Sequence, residues 1–231
     1  MKTILISGCA GFIGCNLIER LIINNKIIGI DNFSSSSEHK LLKFINNKNF
    51  KFIKSDINTL SSINDKIDII YNLACPASPP RYQNAPLFTL KTNFIGTMNL
   101  LDLAKKKSSI FIQASTSEVY GDPLEHPQNE NYFGNVTTMG PRSCYDEGKR
   151  VAETLCYEYR RNFNVETRVV RIFNTYGPYM DIDDGRVISN FLVNVIKNKP
   201  LEIYGDGSQT RSFCYIDDLV DGLIKASLID F

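Results

Sequence analysis

Tyr145 and Lys149, in Tyr145-Asp146-Glu147-Gly148-Lys149, stand four residues apart, which puts a phenol and an ammonium on one face if the stretch is helical. A free tyrosine has a pKa of about 10, and lowering it by about three units needs roughly 4 kcal/mol of differential stabilisation. A neighbouring lysine and a second positive charge, on a bound cofactor, can supply that. The resulting phenolate can take a proton from a hydroxyl while hydride leaves the same carbon. Such a pair is common on surface helices, so its meaning depends on what surrounds it. Thr116-Ser117-Glu118 follows the apolar run at 109–114. A hydroxyl at the carboxyl end of a parallel strand lies where such sheets place their ligands and can hydrogen-bond a reacting oxygen. The plainer reading of the same residues is a turn capped by its own side chain.

The surroundings are those of a nucleotide site. Gly8-Cys9-Ala10-Gly11-Phe12-Ile13-Gly14 follows the first strand-like run and opens the first helical pattern. Glycines there permit a tight turn, a close approach of backbone to pyrophosphate, and close helix–strand packing. The phosphates would sit on the helix N-terminus, where free N–H groups and the dipole favour anions. Asp31 ends the second strand, where a carboxylate can accept hydrogen bonds from a ribose diol and repel a 2′-phosphate, which argues for NAD over NADP. Asp56, after the third strand, is a candidate for the adenine end. Asn32 and Ile57 beside these acids, Phe12 and Ile13 in the glycine turn, and Ala74 after the fourth strand complete the residues expected to line the cofactor.

These residues need a scaffold, and the alternation of the chain supplies one. Strand-like runs at 3–7, 26–30, 50–54, 67–72, 109–114 and 167–172 alternate with helical patterns at 12–23, 37–45, 86–106 and 145–161. Apolar strands separated by crossovers predict an α/β fold, a doubly wound parallel sheet of the Rossmann type. After Asn174 the texture changes to a polar loop, a helical pattern at 187–197, an apolar run at 201–204, a Gly-Asp-Gly turn and a last helix from Asp217. Residues 1–175 are therefore expected to form the cofactor domain, and 176–231 the beginning of a small ligand-covering lobe.

Composition removes several other functions. The 231 residues carry 26 Lys+Arg against 25 Asp+Glu, a formal net charge of +1; no basic surface for nucleic acid is expected, and an anionic ligand must be held by a few placed groups. Six cysteines without a CxxC pair and two histidines offer no metal-binding spacing, so no metal is expected and the thiols read as reduced, as in the cytoplasm. A strand-like run opens the sequence and no apolar stretch reaches spanning length, so a soluble cytoplasmic protein without a membrane partner is expected.

Beyond these chemical signals, longer strings resemble one family. Ala74-Cys75-Pro76-Ala77-Ser78-Pro79-Pro80, Thr89-Leu90-Lys91-Thr92-Asn93, the segment 114–123, Gly140-Pro141-Arg142-Ser143-Cys144-Tyr145 continuing to Glu153, Arg171–Pro178, 185–191 and 207–213 are similar to the UDP-glucuronate decarboxylases (UDP-xylose synthases) of the extended short-chain dehydrogenase/reductase superfamily. The resemblance covers essentially the whole chain. It implies NAD as cofactor, UDP-glucuronic acid as substrate and a homodimer, with Tyr145 as base, Lys149 as its tuner and ribose ligand, and Thr116 on O4 of the sugar. Ser117 and Glu118 would lie near C5 and its carboxylate, and Asn174, Arg186, Tyr204 and Arg211 against the UDP moiety. The implied reaction oxidises C4, loses CO2 from the resulting β-keto acid, and reduces C4 again to give UDP-xylose. Cys9 and Cys15 stand where relatives usually carry Gly and Ser, and relatives continue past the equivalent of Phe231, so the second lobe is expected to be incomplete. The alternatives are another nucleotide-sugar epimerase or 4,6-dehydratase, or an inactive remnant that binds NAD or UDP-sugar. Against a dehydratase, Ser117 occupies the position of the acid that expels water there.

Overall fold

The computed structural model describes residues 1–203 and 205–229. Short β-branched runs become the strands β1 (Thr3–Ser7), β2 (Lys26–Asp31), β3 (Phe50–Lys54), β4 (Ile69–Asn72), β5 (Ile110–Thr116) and β6 (Thr167–Ile172). Of these, β1, β2, β4 and β5 are buried along nearly their whole length and the edge strands β3 and β6 only in part. All pair in parallel in the order β3-β2-β1-β4-β5-β6. The chain winds outward from β1 to β3, returns to β4 beside β1, and winds outward again. The strand order therefore reverses between β1 and β4, and a crevice opens beyond their carboxyl ends.

Helices cover both faces. On one side α1 (Phe12–Leu21) and the four-residue α2 (Leu42–Ile45) join Ile4 and Ile6 of β1 in a core containing Leu17, Ile18, Leu41 and Phe44. On the other side Leu5 meets Leu100, Leu101, Phe111, Cys156 and Tyr159. The alternation of Ile4, Leu5 and Ile6 thus sends adjacent residues of one strand into opposite cores, each buried side chain stabilising the sheet by about 1.5–3 kcal/mol.

The helical pattern at 86–106 divides into α4 (Pro86–Lys91), a π-helical turn at Thr92–Gly96, and α5 (Thr97–Lys107); α3 (Pro79–Asn84) precedes them. Alpha-3 is too short to display a helical period, although Pro79 and Pro80 suit its first turn. The long helix α6 (Ser143–Phe163) turns Tyr145, Gly148, Lys149, Ala152, Cys156 and Tyr159 inward, a spacing of three and four residues.

Beyond β6, β7 (Asn174–Tyr176) pairs in parallel with β8 (Phe213–Tyr215), and α7 (Val187–Ile196) lies between them in sequence. The final helix α8 (Ile216–Ala226) places Ile216, Leu219, Val220 and Leu223 in the same core as α1, and Asp221 pairs with Arg20 of α1. Residues 201–203 have no regular structure, and Tyr204 lies outside the described residues. Among the described residues no helix is long and apolar enough to cross a membrane.

Candidate active site

The crevice at the strand reversal is a cleft of about 1680 Å³ that continues into a smaller cavity of about 70 Å³. Gly8 ends β1 at φ +67°, so close to β4 that a Cβ would lie 2.9 Å from the backbone of Ala74. A Cβ on Gly14 would lie 2.4 Å from the Gly8 carbonyl oxygen, which already accepts the Gly11 N–H at 3.0 Å. The turn can therefore be this tight only with glycine at both ends. Alpha-1 starts at Gly11 without a side-chain cap, leaving its first N–H groups directed at the cleft.

Asp31 closes the cavity's far side. Its Oδ2 accepts from the Ala10 N–H at 2.9 Å, and its Oδ1 from the Phe33 N–H at 2.8 Å and the Ser36 hydroxyl at 2.9 Å. Asp56 accepts from Asn32 at 3.1 Å and caps its own turn through the Asn58 N–H at 2.8 Å. Gly8, Gly11, Asp31, Asn32, Asp56, Ile57 and Ala74 all line the smaller cavity, while Phe12, Ile13 and Gly14 line the larger cleft. Every residue expected at the cofactor is therefore in one continuous groove.

At the other end α6 lies beside the carboxyl end of β5. Lys149, only 4% exposed, donates from Nζ to the Ala114 carbonyl at 2.8 Å, and the same atom is 5.8 Å from the Tyr145 ring centroid. Thr116 Oγ1 accepts the Glu118 N–H at 3.3 Å, so the capped turn and the cleft-facing hydroxyl are the same residue. Burial pushes the Tyr145 phenol well above its ordinary value and Cys75 adds to the rise, against a hydrogen bond with Thr116 and the charge of Arg186. The spacing of Tyr145 and Lys149 predicts the opposite direction. Desolvation of a buried ring opposes the anion more strongly than the polar neighbours favour it.

Thr116, Ser117, Glu118, Tyr145, Lys149, Asn174, Arg186 and Arg211 all border the large cleft. Arg186 pairs with Asp184, Asn174 donates to the Ser212 carbonyl at 3.3 Å, and the exposed Arg211 bonds the carbonyl of Thr210 at 2.7 Å. Tyr204 lies outside the described residues.

A family model described as NAD dependent epimerase/dehydratase matches residues 4–228. The chain belongs to that family. UDP-glucuronic acid decarboxylase 3 of Arabidopsis thaliana is 53% identical over 224 residues, which cover 96% of this chain and 65% of that protein. UDP-glucuronic acid decarboxylase 1 of Danio rerio is 50% identical over 225 residues, 97% of this chain and 53% of that protein. The solved structure of UDP-glucuronic acid 4-epimerase from Bacillus cereus, in complex with UDP-glucuronic acid and NAD, superposes with a TM-score of 0.88 at 31% identity, covering 99% of this chain and 74% of that one. The chain thus spans between half and two-thirds of the length of those two curated relatives.

The groove fits the dinucleotide in the family's description. It has a backbone cradle that a Cβ would fill, a helix N-terminus beside it, and at its far side a buried carboxylate, Asp31, of the kind that can accept from a ribose diol. Epimerase/dehydratase motifs lead to most of this site but not to all of it. Tyr82 of α3 stacks on Tyr145 with ring centroids 4.9 Å apart and planes 8° apart, and its buried hydroxyl has no hydrogen-bond partner among the described residues. Arg142 forms an ion pair with Glu118 and lies 3.8 Å from Asp146. Burial pushes the Asp146 carboxyl up to about 6, with Arg142 opposing and Glu118 adding to the rise. Tyr82 follows the Pro-Ala-Ser-Pro-Pro string and Arg142 opens the one containing Tyr145, so the signal lay beside the motifs, without a chemistry that spacing alone could assign.

Proposed function

We propose that this chain carries the chemistry of an NAD-dependent UDP-glucuronic acid decarboxylase, converting UDP-glucuronic acid to UDP-xylose. The observation that supports this most directly is the meeting of Tyr145, on α6, with the Thr116-Ser117-Glu118 turn of β5 at one end of a groove whose other end is the glycine cradle. When bound, NAD would accept hydride from C4 of the sugar and return it later. Tyr145 takes the proton of the 4-hydroxyl, with Thr116 holding the same oxygen by hydrogen bond. Lys149, anchored on the Ala114 carbonyl with its Nζ 5.8 Å from the Tyr145 ring centroid, would hold the cofactor ribose. The C4 ketone stands β to the C5 carboxylate, so the bonding electrons released with CO2 delocalise into the new carbonyl. Ser117 and Glu118 face that carbon. Protonation at C5 and return of the proton from Tyr145 to O4 complete a redox-neutral cycle. Asn174, Arg186, Tyr204 and Arg211 are assigned to the UDP moiety, where the fork of donors on arginine suits a diphosphate.

The likeness to a UDP-glucuronic acid 4-epimerase favours one competing reading, inversion at C4 without loss of carbon. Incubation with UDP-[14C-carboxyl]glucuronic acid and NAD separates them. Release of labelled CO2 with a UDP-pentose supports decarboxylation, whereas a labelled UDP-hexuronate epimer would replace it.

We further propose a homodimer formed through α4, α5 and α6, where Leu87, Leu90, Phe94 and Tyr157 are exposed. Residues 1–175 act as the cofactor domain and 176–231 include the beginning of the UDP-sugar lobe, with α8 returning to pack in the core beside α1. A cytoplasmic setting suits the six free thiols.

A further inference from the structure

Residues 176–186 run across the cleft as a strap, fastened at several points. Asn16 of α1 donates from Nδ2 to the Pro178 carbonyl at 2.9 Å. Lys40, ahead of α2, donates to the Tyr179 carbonyl at 3.1 Å. Gly185, at φ +84°, lies against α3, where a Cβ would come within 3.0 Å of Pro80. The central fastening is Asp181: its Oδ1 lies 2.5 Å from Lys40 Nζ, and its Oδ2 lies 2.7 Å from Arg81 Nη2. Arg81 in turn donates from Nη1 to the Ser35 carbonyl at 2.6 Å. One carboxylate therefore joins the loop after β2, the helix α3 and the strap, through side chains that are all more than two-thirds buried. Ser35, Arg81 and Asp181 line the same cleft as Gly11 and Phe12 of the phosphate turn.

None of these groups takes part in the chemistry assigned above; their ionic partners are each other and the exposed Asp183, 3.7 Å from Arg81 Nη2. We propose that Asp181, gripped by Lys40 and Arg81, is a positioning residue that clasps the strap over the bound dinucleotide and sets the rate at which it leaves. This rests on the reading of the groove as an NAD site. Ser34, Ser35 and Ser36 line the end of the groove assigned to the adenosine and Tyr145 lines the other end, so a dinucleotide held along it would leave as the loop after β2 and the strap part. Arg81 spans that gap, bonded to Ser35 on one side and Asp181 on the other. Opening the clasp removes no donor from the phosphate turn, so release should accelerate more than affinity falls.

The test is stopped-flow displacement of NADH from the purified chain by excess NAD, followed by NADH fluorescence, with affinity measured separately. Asp181→Asn is expected to release NADH roughly tenfold faster, within reach of a part-buried pairing with two cations. Asp181→Glu, which keeps the charge, should stay near the parent rate. Arg81→Gln, which breaks the link between the Ser35 carbonyl and the strap from the other side, should accelerate release in the same direction, a readout that holds even where Asp181→Asn folds poorly. A folded Asp181→Asn or Arg81→Gln variant with the parent rate would overturn the clasp and leave the cofactor reading standing. A parent chain that binds no NADH would overturn that reading and the clasp with it.

Discussion

Tyr145 is held by two opposed influences: a buried ring that resists ionisation, and polar neighbours that draw the phenol towards its anion. If it is the base for oxidation at C4, Tyr145→Phe keeps the ring stacked on Tyr82 and removes only the proton-carrying oxygen. Turnover should fall by roughly 10²–10⁴-fold with NAD affinity nearly unchanged. Lys149→Met should instead weaken both, because Lys149 is assigned to the ribose as well. Single-turnover NADH formation beside NAD titration separates the two patterns, and a Tyr145→Phe enzyme with more than a few per cent of parent activity would remove the assignment. Asp146 makes a second prediction. Its carboxyl sits at about 6 in the folded protein against 3.8 as the ordinary value. The folded state therefore holds its proton more tightly than the unfolded state, and its contribution to stability is full below about 4 and lost as pH rises through about 6. Asp146→Asn should flatten the pH dependence of urea unfolding between those limits. An unchanged slope would mean that Asp146 does not titrate there.

The elements matter through the few places where backbones nearly touch. The Gly14 contact with the Gly8 carbonyl fixes the angle at which α1 leaves β1, and with it the seat for the phosphates. Gly14→Ala should destabilise the fold by about 1–3 kcal/mol, as overpacking does, and weaken NAD binding at the same time. Thermal unfolding with and without NAD reads both effects; a variant with parent stability and affinity would show that the turn can relax. Gly148, one turn along α6 from Cys144 and Tyr145, performs a similar service. A Cβ there would lie 2.8 Å from Asn93 Nδ2 in the π-helical turn, the same nitrogen that lies 3.2 Å from Cys75 Sγ. The helix bearing Tyr145 and Lys149 is thereby seated against the wall of the cofactor groove.

At the scale of the molecule, the sheet order determines where ligands can enter, and charge determines which cofactor is accepted. Asp31 already receives three hydrogen bonds from its own loop and turn, and a 2′-phosphate would add negative charge beside it. Calorimetric titration should show clear preference for NAD over NADP; equal affinities would remove Asp31 from the ribose. The exposed apolar residues of α4, the π-helical turn and α6 make the proposed dimer testable by light scattering, where a concentration-independent monomer would refute it.

Local chemistry made much of this protein legible before any coordinates. β-Branched runs separated by amphipathic stretches can bury themselves only as a covered parallel sheet, and the glycine spacing has few other uses at a strand–helix junction. The same is true of the position of the groove residues from Gly8 to Ala74, because they lie at or within a few residues of a strand's carboxyl end. Three things were decided by tertiary structure. The three-residue strands β7 and β8 exist only through each other, since neither is long enough to carry a period of its own. Tyr82 and Arg142 reach the site because α3 and the start of α6 converge on it across long sequence separations. The direction of the Tyr145 shift was also settled there: spacing places Lys149 nearby, but only packing determines how much water the ring has lost, and desolvation is the larger effect.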